Sequence, residues 1–288
     1  MPDASTGPAP HGWDPDRYLE YADERGRPFV ELVARIGAPA PGRVVDLGCG
    51  PGNLTRLLAR RWPAAQIAGL DSSPDMVERA RADSAEPDGA PGGVSYAVAD
   101  LRDWVRGGGD PVDVVVSHAT LQWVPGHLDL LPGLLGRIVP GGWLAFQVPG
   151  NSEEPSHTIR RDLAAEAAYA AHTAGVATIE ARDAGTYLRA LTALGCRVDA
   201  WETTYLHVLH GPDPVFAWVS GTGARPTLQA LPPDLRPAFE AEFKRRLRAA
   251  YPAREGATVL PFRRVFVVAQ RPVLPGGAGP DAGHGAPR

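Results

Sequence analysis

Between Val44 and Gly52 the chain reads VVDLGCGPG, an acid followed by three glycines at alternate positions. Val44, Val45 and Leu47 form an apolar run suited to a strand buried on both faces. Asn53 to Arg61 reads as the helix that follows. Glycine permits positive φ and lets a ligand approach where a Cβ would stand, and a helix start carries N–H groups without intrahelical partners. A strand, a glycine loop and a helix in that order make a cradle for a nucleotide-like ligand.

Asp46 narrows the kind of ligand. A dinucleotide turn carries G-x-G-x-x-G, with a pyrophosphate on the helix start. Here the spacing is G-x-G-x-G, and a carboxylate lies two residues ahead of Gly48. That acid repels a pyrophosphate and favours a cationic ligand. S-adenosylmethionine (SAM), with its α-ammonium and sulfonium, is one. The pattern resembles motif I of the class I SAM-dependent methyltransferases; a dehydrogenase-type turn and a tight turn that binds nothing are the alternatives.

The elements that must position this loop follow in order. Gln66 to Leu70 reads as a strand ending at Asp71, and Ser73-Pro74-Asp75 as a capped helix start running to about Ala82. Val94 to Ala99 is a strand ending at Asp100, and Val112 to Val116 one ending at Ser117-His118. Leu128 to Ile138 reads as a helix stopped by Pro140-Gly141-Gly142, and Trp143 to Val148 as a strand. This βαβα alternation implies a parallel sheet with helices on both faces, and right-handed crossovers bring every strand C-terminus to one edge. Asp71 can accept from ribose hydroxyls there, and Asp100 from an adenine amino group. Each acid alone reads more readily as a helix cap. Three at successive strand ends around a glycine loop favour SAM.

Beyond Gly150 the pattern changes. Ser156 to Ala174, Asp183 to Leu194, Asp213 to Val219 and Pro233 to Tyr251 read as helices, and Arg197 to His207 and Arg264 to Ala269 as strands. Upstream, Asp16 to Arg25 and Pro28 to Ile36 read as two helices joined by Arg25-Gly26-Arg27-Pro28, which could form an anion clamp. Residues 1–12 and 272–288 are Pro/Gly/Ala-rich and are expected to be disordered tails around one domain over 13–271. Its core is expected at about 40–150, helical cap insertions at about 151–182 and 211–256, and late strands at about 197–207 and 264–269.

Composition narrows the function. The 288 residues carry a formal net charge of −4 and show no basic block, which argues against nucleic acid. Lys244 is the only lysine, so an anion site must rely on arginine, whose fork binds carboxylates bidentately. The two cysteines, Cys49 and Cys196, suggest neither a disulfide framework nor a metal site. No apolar leader or membrane-length run is present in the sequence. A soluble, cytoplasmic monomer acting on a small molecule is expected.

Several stretches carry a closer resemblance: WDPDRYLEYADERGRP (13–28), DLGCGPGNLT, RWPAAQIAGLDSSPDM, SHATLQWV (117–124), NSEEPSH (151–157), WETTYLH (201–207) and GTGARPTLQAL (221–231). Together, from about Trp13 to Gln270, they resemble the trans-aconitate 2-methyltransferases, with His118 and the stretch 170–182 departing from the pattern. The resemblance implies an α/β fold of the Rossmann-like class I methyltransferase type: a mostly parallel seven-stranded sheet with helices on both faces, late strands six and seven as an antiparallel edge, and helical cap insertions. It implies SAM as cofactor, around Asp46, Gly48, Cys49, Gly50, Gly52, Asp71, Ser72, Met76, Asp100, Leu101, Ser117 and His118. It implies methyl transfer to a carboxylate of a tricarboxylate; another small or carrier-bound carboxylate is the alternative acceptor, and a SAM-binding regulatory module the alternative class. A carboxylate arrives ionised, so no catalytic acid or base is expected, only alignment and water exclusion. The candidate acceptor contacts are Arg25, Arg27, Trp123, His157, Arg161, Tyr205, His207 and Arg225. The histidines are scattered, so no metal is expected.

Overall fold

The computed structural model describes residues 22–84 and 93–273, with side chains from Gly26 onward in the first helix. The expected tails, residues 272 and 273 apart, and the part of the first expected helix before Ala22 lie outside the described residues.

The strands are β1 (Arg43–Leu47), β2 (Gln66–Asp71), β3 (Val94–Val98), β4 (Val112–His118), β5 (Ile138–Pro149), β6 (Arg197–Leu209) and β7 (Thr258–Gln270). They form one sheet in the order β3-β2-β1-β4-β5-β7-β6. The first five pair in parallel, and β7 runs antiparallel to both its neighbours, β5 and β6. The expected antiparallel edge is present as the β7–β6 pair. Only β7 is reversed; β6 is the edge and runs with the first five.

Strand alternation sorts the core into two layers. Val44, Val114 and Val116 face one side, under α1 (Ala22–Ala34) and α2 (Thr55–Arg61), against Phe29, Leu32, Ile36 and Leu58. Val45, Leu47 and Val115 face the other. There α5 (Leu131–Gly136) and α8 (Ala184–Ala193) cover them with Leu131, Leu134, Tyr187 and Leu191. The remaining helices are α3 (Pro74–Ala82), α4 (Leu101–Arg106), α6 (Pro155–Ala164), α7 (Ala170–Thr173), α9 (Pro214–Ser220), α10 (Arg225–Ala230) and α11 (Arg236–Ala250). A third apolar cluster joins α6, α9, α10 and α11 to the far ends of β6 and β7, around Trp218, Phe239, Phe243, Leu260 and Phe262. The cap thus has a core of its own.

Local departures from the sequence reading have physical causes. α1 runs straight through Gly26 and Pro28, so the Arg25–Pro28 stretch lies within a helix and is no junction. An interior proline costs about 3 kcal/mol, offset by burial of the stripe Phe29, Leu32, Val33 and Ile36. Where one helix was expected over 128–138, a short 3₁₀ turn His127–Leu130 precedes α5 and β5 begins at Ile138. Pro140-Gly141-Gly142 therefore lie inside β5, at a register irregularity opposite Val112 and Val114. The helix expected over 156–174 divides into α6 and α7, and a short helix, α10, starts at Arg225-Pro226 between the two later helices read from the sequence. No helix of the described residues is long and apolar enough to cross a membrane.

Gly48 has φ +79°, and a Cβ there would stand 1.9 Å from Thr120 Oγ1 and 2.6 Å from its Cβ. Gly48→Ala is expected to lower unfolding free energy by about 2–4 kcal/mol in urea titrations, from left-handed backbone and overpacking. Gly48→Ala with Thr120→Gly should cost less than the sum of the single changes.

Candidate functional site

The C-terminal ends of β1, β2, β3 and β4 open into a cavity of about 200 Å³. Of the expected cofactor residues, Gly48, Gly50, Asp71, Ser72, Met76, Asp100, Leu101 and His118 line it. Leu47, Leu70, Ala99, Arg102, Trp104, Ala119, Thr120, Trp123 and Val124 complete the wall. The glycine loop is stitched to β2: Gly48 N and Cys49 N donate to Leu70 O at 2.7 and 3.0 Å. The Asp71 carboxylate accepts from Gly50 N and from Ser73 N, each at 2.9 Å. Burial raises its pKa above the usual carboxylate value, and those backbone N–H groups pull it back. Gly50 has φ +55°, and a Cβ there would meet nothing within 4 Å. The Ser73 hydroxyl caps α3 by accepting from Met76 N at 3.4 Å. Asp100 caps α4, accepting from Arg102 N at 2.7 Å, and lines the cavity as well.

Four expected cofactor residues lie behind this wall. Asp46 shares the α2-facing side of β1 with Val44, so strand alternation turns it away from the cavity that Leu47 borders. It is 2% exposed and accepts from Thr55 Oγ1 at 2.6 Å. Burial pushes its pKa up to about 7, the Thr55 hydrogen bond opposes this, and Asp71 adds to it. Cys49 is buried against Val77, Ala80 and Tyr96, and burial pushes its thiol pKa up. Gly52 is covered by Tyr96, whose hydroxyl donates to Gly52 O at 3.3 Å. Ser117 Oγ donates to Leu47 O at 2.9 Å. These side chains shape the loop from beneath.

A second, narrower cavity adjoins the first and shares His118, Ala119 and Trp123 with it. Ala119 has φ +54°, a left-handed conformation at the end of β4 that stores local strain. Its N–H donates to Gln147 O at 2.9 Å. His118 packs edge-on to Phe29, with ring centroids 5.6 Å apart. His157 lines the second cavity; burial, with Arg160 and Arg161 nearby, lowers its pKa to about 4, so it stays neutral near pH 7. Arg264 and Asn151 also line this cavity. Arg264 is 4% exposed, donates from Nη1 to Gln147 Oε1 at 3.3 Å, and lies 4.5 Å from the Phe262 ring centroid. Asn151 is 1% exposed, and among the described residues neither its Oδ1 nor its Nδ2 has a hydrogen-bond partner.

The structure scatters most of the expected acceptor contacts. Trp123 and His157 line the second cavity, and the Arg25 side chain lies outside the described residues. Arg27 is exposed, pairs with Glu31 at 3.1 Å and lies over the Tyr205 ring. Tyr205 donates to Glu31 Oε2 at 2.8 Å, beneath α1. Arg161 donates to Ser152 O at 2.7 Å and pairs with Glu153. His207 packs on Trp218, with centroids 4.5 Å apart, behind the wall. Arg225 opens α10 and does not line either cavity, although Thr222 and Gly223 just before it line the second. Arg264 and Asn151 went unnoticed in the sequence. The signal for Arg264 is its place in the inward series Thr258, Leu260, Phe262, Arg264 along β7. Asn151 offers only its position just past β5. Among the described residues no cluster of His, Cys, Asp or Glu could hold a metal ion.

Residues 44–142 match the family described as a methyltransferase domain. The fold is also that of Bacillus subtilis YcgJ (TM-score 0.58, 10% identity, 85% of this chain and 98% of that one). The cyclase SpnF shares it (TM-score 0.53, 18% identity, 91% and 88%), so the fold alone does not name a reaction. The class is a Rossmann-like class I methyltransferase. More specifically, the chain is 52% identical over 265 residues to the trans-aconitate 2-methyltransferase of Streptomyces avermitilis, covering 90% of this chain and 97% of that protein. It is 45% identical over 262 residues to the one from Mycobacterium tuberculosis (strain ATCC 25177 / H37Ra), covering 90% and 96%. The chain belongs to the trans-aconitate 2-methyltransferase family.

Asp46 makes stability pH-dependent. Its folded pKa, about 7, lies above the reference 3.8, so the folded state holds the proton more tightly and this contribution is lost as pH rises from about 4 to about 7. Asp46→Asn removes that slope. Its stability relative to the unchanged protein should rise by roughly 2 kcal/mol between pH 5 and pH 7, at about 1.36 kcal/mol per unit below the folded pKa. Denaturation curves at the two pH values measure the difference.

Proposed function

We propose that this protein transfers a methyl group from SAM to a carboxylate oxygen of trans-aconitate, giving the monomethyl ester and S-adenosylhomocysteine. One observation carries the reading. A glycine-cradled cavity bearing Asp71 and Asp100 meets, at His118, Ala119 and Trp123, a second cavity whose described wall holds Arg264 and no carboxylate. Membership of the trans-aconitate 2-methyltransferase family supplies the acceptor.

The first cavity fits SAM on its own chemistry. The open space over Gly50 admits a ligand where a Cβ would project. Asp71 and Asp100 offer acceptors to ribose hydroxyls and an adenine amino group, and Met76, Leu101 and Trp104 give apolar surface for a ring. When bound, SAM supplies an electrophilic methyl group on a sulfonium. The chain's own work is to bind, to orient and to exclude water. Carboxylates titrate near pH 4 and arrive ionised, so no residue has to remove a proton; His157, held neutral, is not needed as a base. We read the chain as one domain over about 13–271, acting as a cytoplasmic monomer on a free polycarboxylate, without nucleic-acid or membrane partners.

Incubation with methyl-labelled SAM and a panel of mono-, di- and tricarboxylates tests the reaction. Label is expected in a base-labile ester of trans-aconitate, with a rate flat from about pH 6.5 to 8.5 because no catalytic group titrates there. Label found only on hydroxyl compounds or on a carrier-bound acid would overturn it. Asp71→Ala should weaken SAM binding about 10- to 150-fold, the equivalent of ~1.5–3 kcal/mol for charge-assisted hydrogen bonds. Calorimetry on the folded variant reads this, and unchanged affinity removes Asp71 from the cofactor site.

A further inference from the structure

We propose that Arg264 and Asn151 seat a carboxylate of the acceptor other than the one that is methylated, so that the enzyme selects substrates carrying at least two carboxylates. This rests on the proposed reaction and names its specificity-determining residues. A buried guanidinium is costly unless polar partners meet it. Arg264 occupies an inward position of β7, continuing the series Thr258, Leu260 and Phe262. It is the one arginine in the second cavity's described wall, its Nη1 on the neutral Gln147 amide and its plane near Phe262. Asn151 lines the same cavity with its whole side-chain amide buried and unpartnered. A buried amide without partners calls for a ligand or water to meet it. Nδ2 donates to a carboxylate oxygen at the position where the Arg264 fork also donates.

The backbone fixes the two side chains at one corner. Arg264 pairs with Pro149 across β5 and β7, two residues before Asn151. The intervening Gly150 donates its N–H to Arg263 O at 2.9 Å, and Arg263 Nε donates back to Gly150 O at 2.7 Å. A Cβ on Gly150 would stand 2.9 Å from Val265 Cγ2, so the corner is closely packed. The two cavities meet at the end of β4, whereas Arg264 stands on β7, two strands further across the sheet, or roughly 10 Å at about 4.8 Å per strand. The carboxylate at the junction therefore keeps its full negative charge and its nucleophilicity, while the distant one is neutralised and held. One cation and one amide read a single additional carboxylate. A dicarboxylate of matching spacing should thus be accepted, and an unbranched monocarboxylate should be a poor substrate.

The test compares trans-aconitate with crotonate, an unsaturated monocarboxylate, in the unchanged protein and in Arg264→Met, Arg264→Lys and Asn151→Leu. Methionine keeps apolar bulk beside Phe262 and removes the charge. Arg264→Met is expected to lower kcat/KM for trans-aconitate at least 100-fold, to change crotonate turnover less than about threefold, and to leave SAM affinity within twofold. Arg264→Lys should recover part of the loss, and Asn151→Leu should lower the trans-aconitate preference about tenfold. If folded variants keep the preference, or lose both substrates together, the two residues are structural and the inference fails while the proposed reaction stands. Should Arg264→Met not bind SAM, Asn151→Leu decides by the same ratio. If the unchanged protein methylates no polycarboxylate, the proposed reaction itself fails, whatever the variants do.

Discussion

Asp71 accepts one backbone hydrogen bond from Gly50 and another from Ser73, both at 2.9 Å. The loop after β1 and the head of the helix after β2 therefore hang on one carboxylate. Each donor would otherwise be a loose amide at the mouth of the cavity, and the charge on the acceptor strengthens both bonds. Around this point the remaining loop contacts fall into place, with Gly48 and Cys49 donating to Leu70 O. Without that anchorage the glycines that let a ligand approach would also leave the backbone free to wander.

The two cavities divide the electrostatic work. Carboxylates border the first and the Arg264 guanidinium borders the second. Arg102 stands in the first wall as well, so the contrast lies in the carboxylates, which only the first described wall carries. The boundary between them is narrow and strained. Ala119 holds a left-handed backbone there, pinned by its N–H to Gln147 O, and the same Gln147 accepts from Arg264 through its side chain. β4, β5 and β7 are thus coupled at the boundary by one glutamine, so the spacing between the two chambers follows the spacing of the strands.

Asp46 and Arg264 show opposite ways in which burial treats charge. Asp46, in the α2-facing layer with the Thr55 hydroxyl bonded to its side chain, is pushed towards its neutral form. An arginine has no such escape near neutrality, so its burial has to be matched by polar surroundings. The acid is part of the framework beneath the glycine loop. The arginine stands in a cavity wall.

Much of the architecture was legible in the chain because it rests on local chemistry. The apolar run Val44–Leu47, the alternating glycines, the Ser73-Pro74 helix start and the acids at strand ends depend on residues within a few positions of each other, and the structure keeps them where they were read. The part of the first cavity's wall formed by Gly48, Gly50, Asp71, Met76 and Asp100 comes from those same local units. What the sequence could not decide is which side of a strand or helix faces a distant element. Asp46 and Ser117 sit at the right strand ends but point beneath the loop, Arg27 and Arg161 carry the right chemistry but pair with Glu31 and Glu153, and Arg225 is not among the residues that line the cavity. Arg264 and Asn151 line one cavity only because β7 inserts antiparallel between β5 and β6, pairing Arg264 with Pro149, more than a hundred positions away in the chain. That pairing is a product of long-range hydrogen bonding and core burial, which no short stretch of sequence encodes.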